Sequence, residues 1–323
     1  MVWTSLHATL HRTIRARNLF VNQERLLIAV SGGQDSLCLL RLLLDLQSKW
    51  QWQLGVAHCN HLWRHDSTAN AIHVQKVVQS YEIPFYLETA DEPVDTEAKA
   101  REWRYQVLAQ VALQNQYTCV VTGHTASDRA ETLLYNLIRG TGSDGLQALT
   151  WRRLLVDNVQ LVRPLLKITR SQTAQFCQDF QLSVWEDSTN QDLKYARNRI
   201  RQELLPYLCK NFNPQVESNL AQTAELLQAD VEYLEQAAHK LRESATLFDQ
   251  HTIKLNRCVL QQAPLALQRR VMRQVLLSIL PQSPNFEHIE KLTGLITAPR
   301  RSQTDPFPGG TIAFVEDDWI CFK

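Results

Sequence analysis

The sequence predicts an α/β fold, a parallel sheet with helices on both faces, followed by a smaller, mainly helical region that ends in a β-hairpin. Three observations predict it. Short apolar runs alternate with helix-length amphipathic runs through the first two thirds of the chain, the pattern of a parallel sheet covered on both faces. The first apolar run enters a helix through Ser31-Gly32-Gly33-Gln34-Asp35-Ser36. Beyond Asn213-Pro214 the apolar spacing changes to alternating steps of four and three, which is helical.

In chain order, residues 5–20 read as an amphipathic helix and 25–30 as the first strand. Strands follow at 52–58, 85–89 and 117–122, separated by helices at 67–81 and 97–114. Ligands of such sheets bind beyond the carboxyl ends of the strands. That rule gathers residues 31–36, 58–64 and 123–128 on one rim. A helix over 129–138 leads to Arg139-Gly140-Thr141-Gly142-Ser143-Asp144-Gly145. This spells G-x-G-x-x-G but follows a helix instead of the first strand, so it is read as a helix stop and not a dinucleotide site. A further strand is expected within 161–166, a helix over 171–180 with Ser171 as cap, and another over 197–205. The expected domains are 1–210 and 211–323. In the second, Leu220, Ala224, Leu227, Val231, Leu234, Ala238 and Leu241 form a heptad seam. Helices near 265–280 and 286–297 and a hairpin over 310–322 complete it.

Composition bounds the class. The chain has 323 residues, a formal net charge of +1 and no apolar run near the ~20 residues of a membrane span. No membrane partner is expected, and the cytoplasm is the expected compartment. Seven cysteines are scattered without a C-x-x-C pair, which argues for reduced thiols over disulfides, zinc or an iron–sulfur cluster. Basic residues concentrate within 151–210, where a polyanion could dock.

The loop at 31–36 carries the chemistry. Glycines let the backbone turn tightly and approach a ligand, and the helix start offers unpaired N–H groups and partial positive charge. Phosphate suits such a place. The lysine of the usual triphosphate loop is missing, and Asp35 stands among the expected phosphates. An acid there needs a bridging cation, so Mg²⁺ is expected with Asp35 as its partner.

The strand–SGGxDS–helix unit resembles the signature of the PP-loop ATP-pyrophosphatase superfamily. Further blocks narrow the resemblance. They are His58-x-Asn60-His61 with Arg64, Glu97-x-x-x-Arg101-x-x-Arg104-Tyr105, Gly123-His124 with Asp128-x-x-Glu131-Thr132, Arg139-Gly140-x-Gly142, Arg163-Pro164-Leu165, Asp187-Ser188-x-Asn190, and Arg197-Asn198-x-x-Arg201. In this order they resemble the short-form bacterial tRNA(Ile)-lysidine synthase family. One block departs from the family's common His-His-x-Asp-Asp-Gln-x-Glu-Thr: Thr125, Ser127 and Arg129 replace the second histidine, the first aspartate and the glutamine. The weight of that block moves to Asp128 and Glu131.

The resemblance implies an adenine-nucleotide α-hydrolase-like domain and a helical tRNA-binding domain. It implies a ligase in which ATP adenylates the wobble cytidine of an isoleucine tRNA with a CAU anticodon, and free L-lysine then displaces AMP. Expected ATP contacts are Ser31, Gly32, Gly33, Gln34, Asp35 and Ser36. Asp35, Asp128, Glu131, Arg104 and Arg201 are the catalytic candidates, with Asp128 accepting from the cytosine amine. His61, Arg64, His124, Arg139 and Arg197 are candidates for holding tRNA. The rival within the superfamily is a cytidine thiolase, which would need a reactive cysteine or cluster. The heptad seam and the N-terminal helix could support a homodimer.

Overall fold

The computed structural model describes residues 2–62, 66–93, 96–185, 192–249 and 252–323. Two compact units divide it, Met1–Leu227 and Gln228–Lys323.

The first unit begins with α1 (Ser5–Arg17), β1 (Arg25–Ala29), α2 (Gln34–Trp50), β2 (Gln53–Asn60), α3 (Ser67–Gln79), β3 (Phe85–Thr89), α4 (Glu97–Gln114) and β4 (Cys119–Thr122). It continues with α5 (Ala126–Ile138), α6 (Ser143–Leu146), β5 (Arg152–Val156), β6 (Val159–Val162), α7 (Arg170–Asp179), α8 (Ala196–Arg199) and α9 (Leu205–Asn211). A π-helical turn, Ile200–Leu204, joins the last two. The sheet order is β3-β2-β1-β4-β6-β5, parallel throughout except for β5 at the edge.

Alternation along β1 shows why helices cover both faces. Leu26 and Ile28 point into one core with Leu39, Leu43 and Val74 of α2 and α3. Leu27, between them, points into the opposite core with Leu108, Val111 and Ala112 of α4. With both faces buried, the strands' free ends are the rim where loops gather, and the loops after β1, β2 and β4 carry the predicted site.

Several boundaries differ from the sequence expectation for local reasons. Helix α5 starts at Ala126, not 129, because Thr125 caps it: the Thr125 hydroxyl accepts from Asp128 N–H and the Asp128 carboxylate accepts from Thr125 N–H. Helix α7 is likewise capped by Thr169 with Gln172, one turn-start earlier than Ser171. Strand β5 was not anticipated. Its Arg-Arg-Leu-Leu-Val is exposed at its start, as an edge strand can be, and it turns back through Asn158 at φ +66°.

Helix α10 (Val216–Ala245) contains the heptad seam. Ala224, Val231 and Ala238 are buried, with the leucines between them half-buried. In the second unit follow β7 (Thr246–Asp249), β8 (Thr252–Asn256), α11 (Arg257–Gln261), α12 (Leu265–Ile279), α13 (Phe286–Gly294), β9 (Ala313–Glu316) and β10 (Trp319–Phe322). The expected terminal hairpin, β9–β10, is half of a four-stranded antiparallel sheet ordered β7-β8-β10-β9. Val271, Met272, Val275 and Leu276 of α12 share its core with Leu255 and Ile320. No helix among the described residues is long and apolar enough to cross a membrane.

Candidate active site

The loop between β1 and α2 is built for close approach. Gly32 has φ +91°, and a Cβ there would meet Asn70 Oδ1 at 2.4 Å. Only glycine fits. Asn70 fixes the turn by donating to the Ser31 carbonyl at 3.0 Å, and Trp185 N–H donates to the Gly32 carbonyl at 2.9 Å. Ser36 Oγ accepts from Ser31 N–H at 3.2 Å and donates to the Gly33 carbonyl at 2.8 Å. Gly33 is the N-cap of α2, and no side chain caps that helix. Neither Ser31 nor Asp35 takes that role, so the helix start keeps donors for an anion. The Gln34 side chain turns the other way, donating to the Arg170 carbonyl at 2.8 Å and to Thr173 Oγ1 at 3.1 Å. Its contribution to the loop is its backbone. Gly123, at the end of β4, lets that strand approach the α2 start: a Cβ would lie 2.8 Å from the Asp35 carbonyl oxygen.

Beside the loop, three carboxylates and two guanidiniums alternate. Arg170 Nε donates to Asp35 at 3.1 Å and its terminal nitrogen to Asp128, also at 3.1 Å. Arg201 lies 3.7 Å from Asp128 and grips Glu131 through two bonds of 2.7 and 2.8 Å. The order is Asp35–Arg170–Asp128–Arg201–Glu131. Four predicted catalytic residues are thus joined. The fifth link, Arg170, was missed. Its only sequence signal is its place in the basic stretch within 151–210, shortly after the Arg163-Pro164-Leu165 block. Thr173 was missed too; its hydroxyl donates to Asp35 Oδ1.

The three acids differ in their proton affinity. Burial pushes the Asp35 carboxyl up, with Asp128 adding to it against the pull of Arg170. Burial likewise pushes Glu131 up, opposed by Arg201. For Asp128 burial also acts upward, but Arg170 and the Thr125 donors outweigh it and hold the group below the usual carboxylate range.

The replaced positions of the α5 block have structural employment. Thr125 is the N-cap already described. Ser127 Oγ accepts from Arg170 N–H at 2.9 Å and donates to Glu217 at the start of α10. Arg129 is fully buried, donates to the Leu149 carbonyl at 2.8 Å and pairs with Glu225 of α10 at 3.1 Å. These residues anchor the first turns of α10 to the helix that carries Asp128 and Glu131.

The remaining candidates lie around this chain of charges. Arg104 stacks over Tyr105 at 5.5 Å and, with Arg101 and Arg163, bears electrostatically on His124. It does not join the alternating row. His61 sits past the end of β2, half-buried. Arg64 lies outside the described residues, as do Asp187, Ser188 and Asn190. Arg139 and Arg197 both stack on Tyr135 of α5, at 5.3 and 5.8 Å. His124 Nδ1 is hydrogen-bonded to the Thr122 hydroxyl at 2.8 Å. Burial first, then the nearby arginines, hold its pKa well below the ordinary 6.5. It is therefore neutral in the folded state where the unfolded chain already binds a proton. A depressed folded pKa means that stability is lost as pH falls below 6.5. His124→Gln should flatten that dependence by up to about 1.4 kcal/mol per pH unit, one proton's worth, in urea titrations across mildly acidic pH. Parallel slopes for the two proteins would contradict the assignment.

The donor set suits Mg²⁺, which takes one or two carboxylates and completes its shell with phosphate oxygens and water. Asp35 supplies one such carboxylate beside the phosphate loop, with Arg170 as its partner. Among the described residues no group of three or more His, Cys, Asp or Glu forms a metal site, and His58 instead donates Nδ1–H to the Val30 carbonyl at 2.8 Å. All seven cysteines are free. Burial pushes the thiols of Cys59 and Cys177 up to about 12, leaving them poor nucleophiles.

A PP-loop domain model matches residues 6–208, and a TilS substrate binding domain model matches 255–318. A tRNA(Ile)-lysidine synthase of Nostoc sp. is 66% identical, covering 100% of this chain and 98% of the relative. That of Synechocystis sp. is 53% identical over 99% and 98%. Among solved structures, a U34-tRNA thiolase from Methanococcus maripaludis superposes with a TM-score of 0.59 at 18% identity, over 69% of this chain and 78% of that one, a likeness of fold alone. With a phosphate loop of SGGxDS type, the carboxylate row beside it and full-length relatives at such identity, the chain belongs to the tRNA(Ile)-lysidine synthase family.

Proposed function

We propose that the protein joins lysine to C2 of the wobble cytidine of an isoleucine tRNA with a CAU anticodon, consuming ATP and releasing AMP and pyrophosphate. The observation that carries the reading is the unbroken row from the phosphate loop, at Asp35, to Glu131. It sets an ATP site against acids suited to a nucleobase amine and to an ammonium. In this reading residues 1–210 are catalytic and 211–323 bind the tRNA.

The backbone donors of Ser31–Ser36 and the start of α2 hold the outer phosphates and meet the charge that grows on departing pyrophosphate. Asp35 would hold Mg²⁺, whose chemistry is to neutralise charge between the phosphates. The C2 oxygen of the cytosine forms a bond to the α-phosphorus as the bond to pyrophosphate breaks. Asp128, kept ionised, has about four acceptor positions. Thr125 and Arg170 fill three of them, which leaves one for the cytosine amine. The lysine ammonium must lose a proton before its nitrogen attacks C2 and AMP leaves with the former C2 oxygen. Glu131, held in place by two bonds from Arg201, is the carboxylate assigned to take that proton, and burial raises its affinity for one. A homodimer would find exposed apolar side chains on α10, Leu226 and Tyr233.

The rival thiolase reading fares worse on the same residues, since no thiol near the loop is activated. The test is omission of lysine. With ATP labelled at the α-phosphate, label should become attached to the tRNA; with label at the γ-phosphate it should not. No attached label in the first case would overturn the reading.

A further inference from the structure

One turn beyond Glu131 on α5 lies a cavity of about 740 Å³ that the reaction scheme leaves unused. Its walls include Tyr135 and Ile138 of α5, Arg139 just past its end, Arg199 at the end of α8, Glu203 of the π-helical turn and Tyr207 of α9. The lining is mostly apolar, with Arg139, Arg199 and Glu203 as its charged members, and Arg197 stacks on Tyr135 at 5.8 Å. Ile138 is 67% exposed and Tyr207 58%, large apolar surfaces that folding left in water. The π-helical turn ties this cavity to the active site: Arg201 turns to Glu131, while Ile200 and Leu204, also on that turn, line the cavity. Such turns recur at functional sites.

A ligand for this place needs a flat apolar face and negative charge at its edge. A nucleobase between its phosphates has both, and single-stranded RNA offers unstacked bases. An apolar side chain of a protein partner would satisfy the walls but not the guanidiniums. We infer that the cavity receives an unpaired base of the anticodon loop adjacent to the base being modified, stacked on Tyr207, with Arg139 and Arg199 on the flanking phosphates. Glu203 can accept from an exocyclic amine of that base. This inference rests on the proposed function and specifies its RNA subsite.

The experiment measures KM and kcat for lysine transfer by the wild type, Tyr207→Ala and Tyr207→Phe. The substrates are the intact tRNA and versions abasic at each unpaired loop position other than the target cytidine. Loss of one stacked base should raise KM about tenfold for Tyr207→Ala, with kcat less affected, while Tyr207→Phe stays near wild type. At one abasic position the wild type should lose the same factor and Tyr207→Ala should lose nothing more. The inference falls if Tyr207→Ala matches wild type, if Tyr207→Phe is impaired equally, or if its loss multiplies with every abasic change. Absence of lysine transfer by the wild type would instead overturn the proposed function.

Discussion

Asp128→Asn lowers kcat for lysine transfer by at least about 100-fold, the usual cost of one preorganised charge at a reacting centre, while affinity for the tRNA stays within a few-fold. The asparagine keeps the shape and an acceptor for Thr125 N–H, so α5 stays capped. It loses the charge that Arg170 and Arg201 face and the fixed acceptor for the cytosine amine. Asp128→Ala should lose activity to a similar extent and also about 1 kcal/mol of stability, because the reciprocal cap with Thr125 goes as well. Steady-state kinetics, filter binding and urea unfolding separate these effects. Near-wild-type turnover by Asp128→Asn would remove Asp128 from the mechanism.

Arg170→Ala has an effect of comparable size for a different reason. Arg170 is the only side chain among the described residues that bonds to both Asp35 and Asp128. Without it, two carboxylates face each other, and like charges raise the affinity of each for a proton. Transfer should fall about 100-fold or more, and the acid limb of the pH–rate profile should move to higher pH. The stability sign follows from Asp128, whose folded pKa is depressed with Arg170 as the leading favourable charge. A depressed acid contributes stability above its ordinary pKa of 3.8 that disappears as pH falls through the folded value. Arg170→Ala is therefore less stable than wild type at neutral pH, and the gap narrows on acidification. Arg170→Lys restores a charge but not the two-sided fork, and should recover only part of the rate. An unmoved acid limb in Arg170→Ala would show that the bridge does not govern these carboxylates.

The parts of this site visible in the sequence are those with local signals. SGGQDS declares itself because glycine and hydroxyl residues between an apolar strand and an apolar helix have few other uses. Asp128 and Glu131 declare themselves by lying about one turn apart after a strand end. Arg170 does not, since its role is set by where α7 lands against α2 and α5, a tertiary fact. The same holds for Ser127 and Arg129. As departures from the family pattern they looked like losses, but they engage Glu217 and Glu225 of a helix that begins far along the chain. In the fold, alternation of strands and helices sufficed for the parallel sheet, whose central strands β1, β2 and β4 are buried and strongly apolar. Edge strand β5 and strands β7 and β8 were hidden because runs of four or five residues that mix polar and apolar side chains look like loops until a neighbour pairs with them.

The central claim is that the row from Asp35 to Glu131 couples ATP cleavage to attachment of lysine on a tRNA base. The direct measurement is incubation of the protein with ATP, Mg²⁺, labelled lysine and the isoleucine tRNA bearing CAU, followed by nucleoside analysis. The methionine tRNA with the same anticodon serves as the control. The account predicts one lysine joined to the wobble cytidine of the isoleucine tRNA for each AMP and pyrophosphate formed, with none on the control. ATP cleavage without lysine attachment, or lysine attached with no AMP formed, would contradict it.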